Sequence, residues 1–460
     1  MSPTFRALSV PNYRVYAAGA LVSNIGTWLQ NTAQAWLVLE LTGSGTALGI
    51  MVALQLLPTL LLSAYGGVLA DRYPKRTLLR VMQVAMALPA AALGVLAILD
   101  VVALWHVYVL VAVFGVGRAL EAPARQSFVP EMVGTDDLGN AVALNSASFN
   151  AGRLIGPALA GVAIAAIGGG VVGTGWVILA NALSYGAAFW ALQVMDTTRL
   201  APTPVIGRGR GALADGLRYV RSRPDLVLLL TCVFFIGGFG MNFQITSALM
   251  ATEVFGKGAD GFGVLGSLLA IGSFAGALLA ARRTRPRLRF VIVFGLMFAV
   301  MQVLSGLMPT YVTYAVTLPL IGITLLSTVT TANALIQLTT APEMRGRVAA
   351  LYLMVFLGSV PFVAPGIGWI GEAFGPRVAV VLSGAVAGVG IAGTVSWYVL
   401  HRRDRRAELV AMAVELRSQR ARRADLRGRP SDRGRLRVPR RLREHRGLGP
   451  RHARDDAHVG

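Results

Sequence analysis

The chain has 460 residues, 55% of them hydrophobic and only 14% charged, and its mean hydropathy is +0.61. That composition belongs to a polytopic membrane protein and excludes an ordinary soluble domain. A single cysteine, Cys232, excludes an internal disulfide and a thiolate metal cluster. The net charge of +21 is unevenly spread: from His401 onward, 19 arginines stand against 8 acidic residues.

In chain order, the first apolar segment runs from Tyr13 to Leu39. It is too long for a signal-peptide core and lacks a small-residue cleavage site, so it is expected to be retained. At roughly 20 helical residues per bilayer crossing, spans are predicted near 13–39, 46–70, 77–99, 102–124, 138–167, 171–195, 225–251, 261–281, 288–308, 311–338, 346–371 and 376–400. The loops carry cations alternately. Arg72, Lys75 and Arg76 lie in the second loop, Arg125 in the fourth, Arg218, Arg221 and Arg223 in the sixth, Arg282 to Arg289 in the eighth, and Arg345 and Arg347 in the tenth. Loops one, five and nine contain no Lys or Arg, while Lys257 lies in loop seven and Arg377 in loop eleven. Short Lys/Arg-rich loops stay inside, so both termini are expected in the cytoplasm.

The sixth loop, residues 196–224, is the longest connection. Pro202, Pro204, Gly207 and Gly209 open it, and then Leu213, Leu217 and Val220 recur at helical spacing beside arginines. This predicts an interfacial helix on an anionic membrane surface. The linker separates a bundle over 1–195 from a second over 225–402. The basic stretch 403–460 is expected to be a disordered cytoplasmic tail outside the transport core, with no nucleic-acid partner.

The second loop, from Gly66 to Arg76, reads GGVLADRYPKR. Small residues allow a neighbouring helix to approach, one carboxylate follows at Asp71, and three cations close the turn. Gly67, Asp71, Arg72, Lys75 and Arg76 resemble the signature loop of the major facilitator superfamily, with Pro74 where many members have a second glycine. The halves of the chain also look duplicated. Gly67 and Gly276, Pro130 and Pro342, and Pro157 and Pro365 recur at nearly one offset, about 210 residues. LVSNIGTW (Leu21–Trp28), APARQSFVPEMV (Ala122–Val133) and RGRVAALY (Arg345–Tyr352) resemble the transmembrane secretion effector branch, which includes the enterobactin exporter. The resemblance implies an all-α membrane protein with twelve transmembrane helices in two pseudo-symmetric six-helix bundles, in the cytoplasmic membrane of a bacterium. It also implies that spans one, four, seven and ten surround a substrate cavity.

On that frame, Asn24, Trp28, Asn31 and Gln34 share one face of span one. Amides facing lipid are costly, so this face should line a cavity or another helix. Asn242 in span seven and Asn333 and Gln337 in span ten are further candidates for the substrate site. Interhelical hydrogen bonding is the competing role for each. Gly152, Gly156, Pro157 and Gly161 in span five resemble the superfamily's export motif, although helix packing alone accounts for the glycines. Arg118 and Glu121, three apart in span four, can pair and are assigned with Arg345 and the signature loop to conformational gating. In the outward-open state Asp71 is expected to meet the start of span eleven, near Arg345. Arg153 is the one charge placed near mid-span, either fixing a neighbouring helix or binding an anionic substrate group.

The five histidines, His106, His401, His445, His452 and His458, lie outside every span core, so hydrolytic or metal chemistry has no cluster to work with. Gly366, Gly368 and Gly371 spell GxGxxG, but no strand precedes them, and no cofactor is expected. The sequence therefore predicts a monomeric, non-enzymatic exporter of a medium-sized amphipathic small molecule, a siderophore or a drug, by alternating access and proton antiport. An importer on the same scaffold is the alternative.

Overall fold

The computed structural model describes residues 3–201, 212–283 and 285–400. The tail over 403–460 and the opening of the linker, with Pro202, Pro204, Gly207 and Gly209, lie outside the described residues. Within them the chain is helical and has no strand. The helices are α1 (Pro11–Thr42), α2 (Gly45–Arg72), α3 (Lys75–Ile98), α4 (Leu104–Ala166), α5 (Gly170–Gln193), α6 (Ala212–Arg221), α7 (Pro224–Gly240), α8 (Phe243–Leu249), α9 (Ala259–Ala281), α10 (Leu288–Gly306), α11 (Tyr311–Thr339), α12 (Arg345–Gly358), α13 (Val360–Phe374) and α14 (Pro376–Leu400). Their ends use short-range polar groups. Gly43, at φ 60°, ends α1, and the Ser44 hydroxyl accepts from the Ala47 amide to start α2.

Ten described segments are long and apolar enough to cross a membrane. α1 is not among them, because its amides dilute its hydropathy, although its 32 residues suffice for a crossing. α4 contains 63 residues, about 94 Å if straight, three times the bilayer core. It turns back at Gly134, where φ is 69° and ψ is −175°. The spans predicted at 102–124 and 138–167 are therefore two arms of one helix-turn-helix, with the intervening residues helical too. With these two adjustments the chain is consistent with twelve crossings.

The seventh and eleventh crossings are discontinuous. α7 stops at Gly240, α8 begins at Phe243, and Met250–Val254 form a π-turn. α12 and α13 meet at Ser359, just before Pro361, which has no amide to bond the preceding turn. α6 forms where the linker helix is expected, but it docks on protein. Asp215 lies 3.7 Å from Arg347 on α12, and the Tyr219 hydroxyl accepts from the Ala341 amide at 3.2 Å.

Two antiparallel seams join the first half of the chain to the second: α2 against α13, and the second arm of α4 against α9. The loops divide between two ends of the molecule. One, the arginine-rich end, carries Arg72 to Arg76, Gly134, α6 and Arg345. The other, the arginine-poor end, carries Ser44, Gly168, Lys257 and Phe374.

The backbone at Gly134 lies in a region that essentially only glycine occupies, although nothing lies within 4 Å of a Cβ there. Gly134→Ala should therefore destabilise through the backbone alone, by about 1–3 kcal/mol. Thermal unfolding in detergent should show a lower midpoint, and an unchanged midpoint would mean that the turn relaxes.

Candidate functional site

The amide row on α1 is largely used inside the first bundle. Asn24 donates to the Ser148 hydroxyl at 2.9 Å and accepts from Arg125 at 3.4 Å. Asn31 accepts from Gln55 of α2 at 2.9 Å. Gln30, on another face, accepts from Asn181 of α5 at 2.5 Å. Gln34 is buried, and its side-chain oxygen has no partner among the described residues. Trp28 is half-buried and stands edge-on to Phe149, with ring centroids 5.6 Å apart.

Trp28 leads to Arg153. The guanidinium lies 5.8 Å from the Trp28 ring centroid and donates to the Ser273 hydroxyl at 3.1 Å. Ser273 belongs to α9, so this contact crosses the α4–α9 seam. Among the described residues no carboxylate forms an ion pair with Arg153. The arrangement can hold a cation at the seam with one neutral hydroxyl acceptor and an aromatic face, which leaves donor capacity for an anionic or carbonyl group. Sequence reasoning does not single out Ser273. Its signal is slight, one of two hydroxyls, with Ser267, among the small residues of α9.

The second-bundle candidates are not brought into hydrogen-bonding contact with Arg153. Asn242 sits at the break between α7 and α8, where its side-chain amide donates to the Gly238 carbonyl. Its side-chain oxygen is buried without a partner among the described residues. Gln337 is exposed and donates to Asn333, at 3.5 Å.

The glycines of span five divide between two neighbours. A Cβ at Gly152 or Gly156 would collide with α1, at the Asn24 carbonyl and Trp28 respectively. Gly161 meets the Ala259 carbonyl on α9, and Gly263 of α9 meets the Pro157 carbonyl. Close backbone approach thus closes this seam toward the arginine-poor end. The other seam closes at the same end, where Gly45 and Gly368 meet backbone to backbone. There one oxygen of Glu372 accepts from the Ser44 hydroxyl at 2.6 Å, the Thr46 hydroxyl at 2.6 Å and the Thr46 amide at 3.0 Å. A carboxylate on α13 therefore caps the N-terminus of α2 across the seam. Glu372 escapes sequence reasoning because its partners lie more than 300 residues away along the chain.

The arginine-rich end is arranged differently. Asp71, Arg72 and Arg345 are exposed, and Arg345 donates to the Thr340 carbonyl beside it, at 3.3 Å. The expected meeting of Asp71 with the start of α12 is not made in this conformation. Lys75 pairs with Glu131, both about 10% exposed. Arg76 caps the end of α5, donating to the Leu192 and Gln193 carbonyls at 2.6 and 2.8 Å. Gly67 is buried in α2, next to Gly66, which packs on Ala119 and Pro123. The expected pairing of Arg118 with Glu121 is corrected: Glu121 pairs with Arg125, one turn further on, at 3.4 Å. Arg125 also reaches Asn24, so the pair belongs to a small cavity of about 30 Å³ inside the first bundle, lined by Tyr16, Gln83 and these residues. That is room for about one water.

Two helical bundles meeting at glycine-rich seams, with broken crossings and a cation held at one seam, define a membrane transporter of the major facilitator fold. The chain belongs to the transmembrane secretion effector family, whose model matches residues 2–419. It is 25% identical to the enterobactin exporter EntS of Citrobacter koseri over 85% of this chain and 89% of that protein. It is 26% identical to the multidrug efflux pump Tap of Mycolicibacterium fortuitum over 76% and 86%. It is 25% identical to the staphyloferrin A transporter of Staphylococcus aureus over 55% of this chain, a match that spans 63% of that protein. Among solved structures, a bacterial homologue of the human lysosomal transporter Spinster, inward-facing and occupied, superposes with a TM-score of 0.66 at 13% identity, over 88% of this chain and 98% of that one. A D-xylose–proton symporter gives 0.67 at 13% identity, over 83% and 96%.

Removing one partner of the Lys75–Glu131 pair leaves a charge in a largely buried site, which costs about 3 kcal/mol or more. Glu131→Gln should lower the thermal midpoint markedly, and Lys75→Met with Glu131→Leu should restore much of it. A single variant as stable as the wild type would make the pair dispensable.

Proposed function

We propose that this chain is a secondary active exporter of a medium-sized amphipathic small molecule, siderophore-like or drug-like, working by alternating access with proton antiport. It lies as a monomer in a bacterial cytoplasmic membrane, with the arginine-rich end and both termini in the cytoplasm. The alternation of basic loops supports that orientation. Relatives named as siderophore and drug transporters support the direction and the substrate class. The bundles over 1–195 and 225–402 rock against each other around the seam cation, with 196–224 as the tether and 403–460 outside the moving core.

One observation supports the alternating-access part of this reading: both seams are latched at the arginine-poor end, while Asp71 and Arg345 at the other end make no bond to each other. This is the pattern of a transporter open to the cytoplasm. In the opposite state Asp71 meets the start of α12 near Arg345, and the Glu372 latch releases. The two carboxylates then act on the same equilibrium from opposite ends of the bundles.

Opposed shifts test this. In a Cys232→Ala background, Ser267→Cys reports opening at the arginine-poor end and Asn333→Cys reports opening at the other. Glu372→Ala should raise external labelling of the first several-fold. Asp71→Asn should raise cytoplasmic labelling of the second and slow transport. Labelling unchanged in both would remove the gating assignment. Direction is settled separately, by counterflow in vesicles of known orientation.

Arg153, in this reading, binds an anionic group of the substrate. Arg153→Gln should insert normally and lose anionic substrates at least tenfold while neutral ones still pass. Ser273→Ala should leave that selectivity in place. If the Arg153–Ser273 bond is only a packing contact, both variants should instead lose stability together, with no change in selectivity.

A further inference from the structure

A groove of about 440 Å³ runs between α3 and α5 near the arginine-rich end. Its walls include Val81, Val84 and Leu88 on α3 and Phe189 on α5. Val81, Val84 and Leu88 recur at three- and four-residue steps and are exposed, so this stripe faces hydrocarbon. Thr77 and Arg80 line the end of the groove nearer the loop, Arg80 about 7.5 Å along α3 from Lys75.

Arg80 is the anomaly. Its guanidinium lies 5.2 Å from the Phe189 ring centroid. Its Nε is buried and has no hydrogen-bond partner among the described residues, and no carboxylate there pairs with it. A guanidinium at the edge of hydrocarbon is costly without an acceptor. The polar groups one turn back along the chain do not supply one: Lys75 is paired with Glu131, and Arg76 takes the carbonyls at the end of α5. The second bundle repeats the pattern at the same end. Arg283 lies 4.7 Å from the Phe290 centroid and 4.6 Å from that of Phe294, and its Nη1 is also buried without a partner among the described residues.

We propose that the α3–α5 groove binds an anionic diacyl phospholipid, its phosphate on Arg80 and one acyl chain along Val81, Val84, Leu88 and Phe189. The planar guanidinium matches a phosphate's geometry. Arg76 and Arg80 leave local positive charge uncompensated, which favours a lipid with net negative charge over a zwitterionic one. The site does not depend on the export reading.

The test uses the full chain in nanodiscs of phosphatidylcholine containing a minor fraction of phosphatidylglycerol, with retained lipid counted by native mass spectrometry. The wild type should retain phosphatidylglycerol selectively. Arg80→Gln should lower that retention roughly tenfold, with Arg80→Lys intermediate. Ala85→Trp, which fills the groove and leaves Arg80 in place, should lower it as well. Retention by monodisperse Arg80→Gln equal to wild type, or equal retention of both lipids by the wild type, overturns the proposal. Displacement of the lipid by inorganic phosphate alone would also overturn it, because the site would then select an ion and not a lipid.

Discussion

A polar group within the hydrocarbon must find its partner inside the protein, because the lipid offers none. That constraint explains how α1 is used. Its amides reach Ser148, Gln55 and Asn181 on three other stretches of helix, which ties the first bundle together from within. It also explains why unpartnered groups are informative. Among them are the Asn242 oxygen at the helix break and the Arg80 Nε on the lipid face, while Gln34 and Gln83 lie inside the first bundle.

The seams obey a second constraint. Helices in a membrane gain little from apolar burial against each other, so close contact depends on small residues and a few polar bonds. Gly45 with Gly368 and Gly161 with Ala259 supply the close contacts, and Glu372 supplies the polar bond. A seam built this way rests on few contacts. Its contacts are short-range and local, so it can be closed at one end and open at the other, with α2 spanning both.

Several assignments from the residues survive only in altered form. The acid partner of Arg125 is Glu121, while Arg118 makes no ion pair among the described residues. Helical spacing allows both pairings, and the spatial position of Asn24 favours the one observed, since Arg125 reaches it too. Spacing makes Asn24 and Asn31 candidates for a cavity face, yet both have partners within the first bundle. One-dimensional periodicity places residues on a face without saying which helix lies opposite.

The sequence by itself determined the membrane class, the approximate crossings, the alternation of basic loops and the family, because these depend on local hydropathy, charge and short motifs. The tertiary structure alone decided which polar groups pair across the seams. Ser273 meets Arg153 from 120 residues away and Glu372 meets Ser44 from 328 away, and no local pattern encodes such distances. It also decided that Gly134 folds α4 back on itself, because a positive φ is a property of the folded backbone that a glycine permits but does not announce.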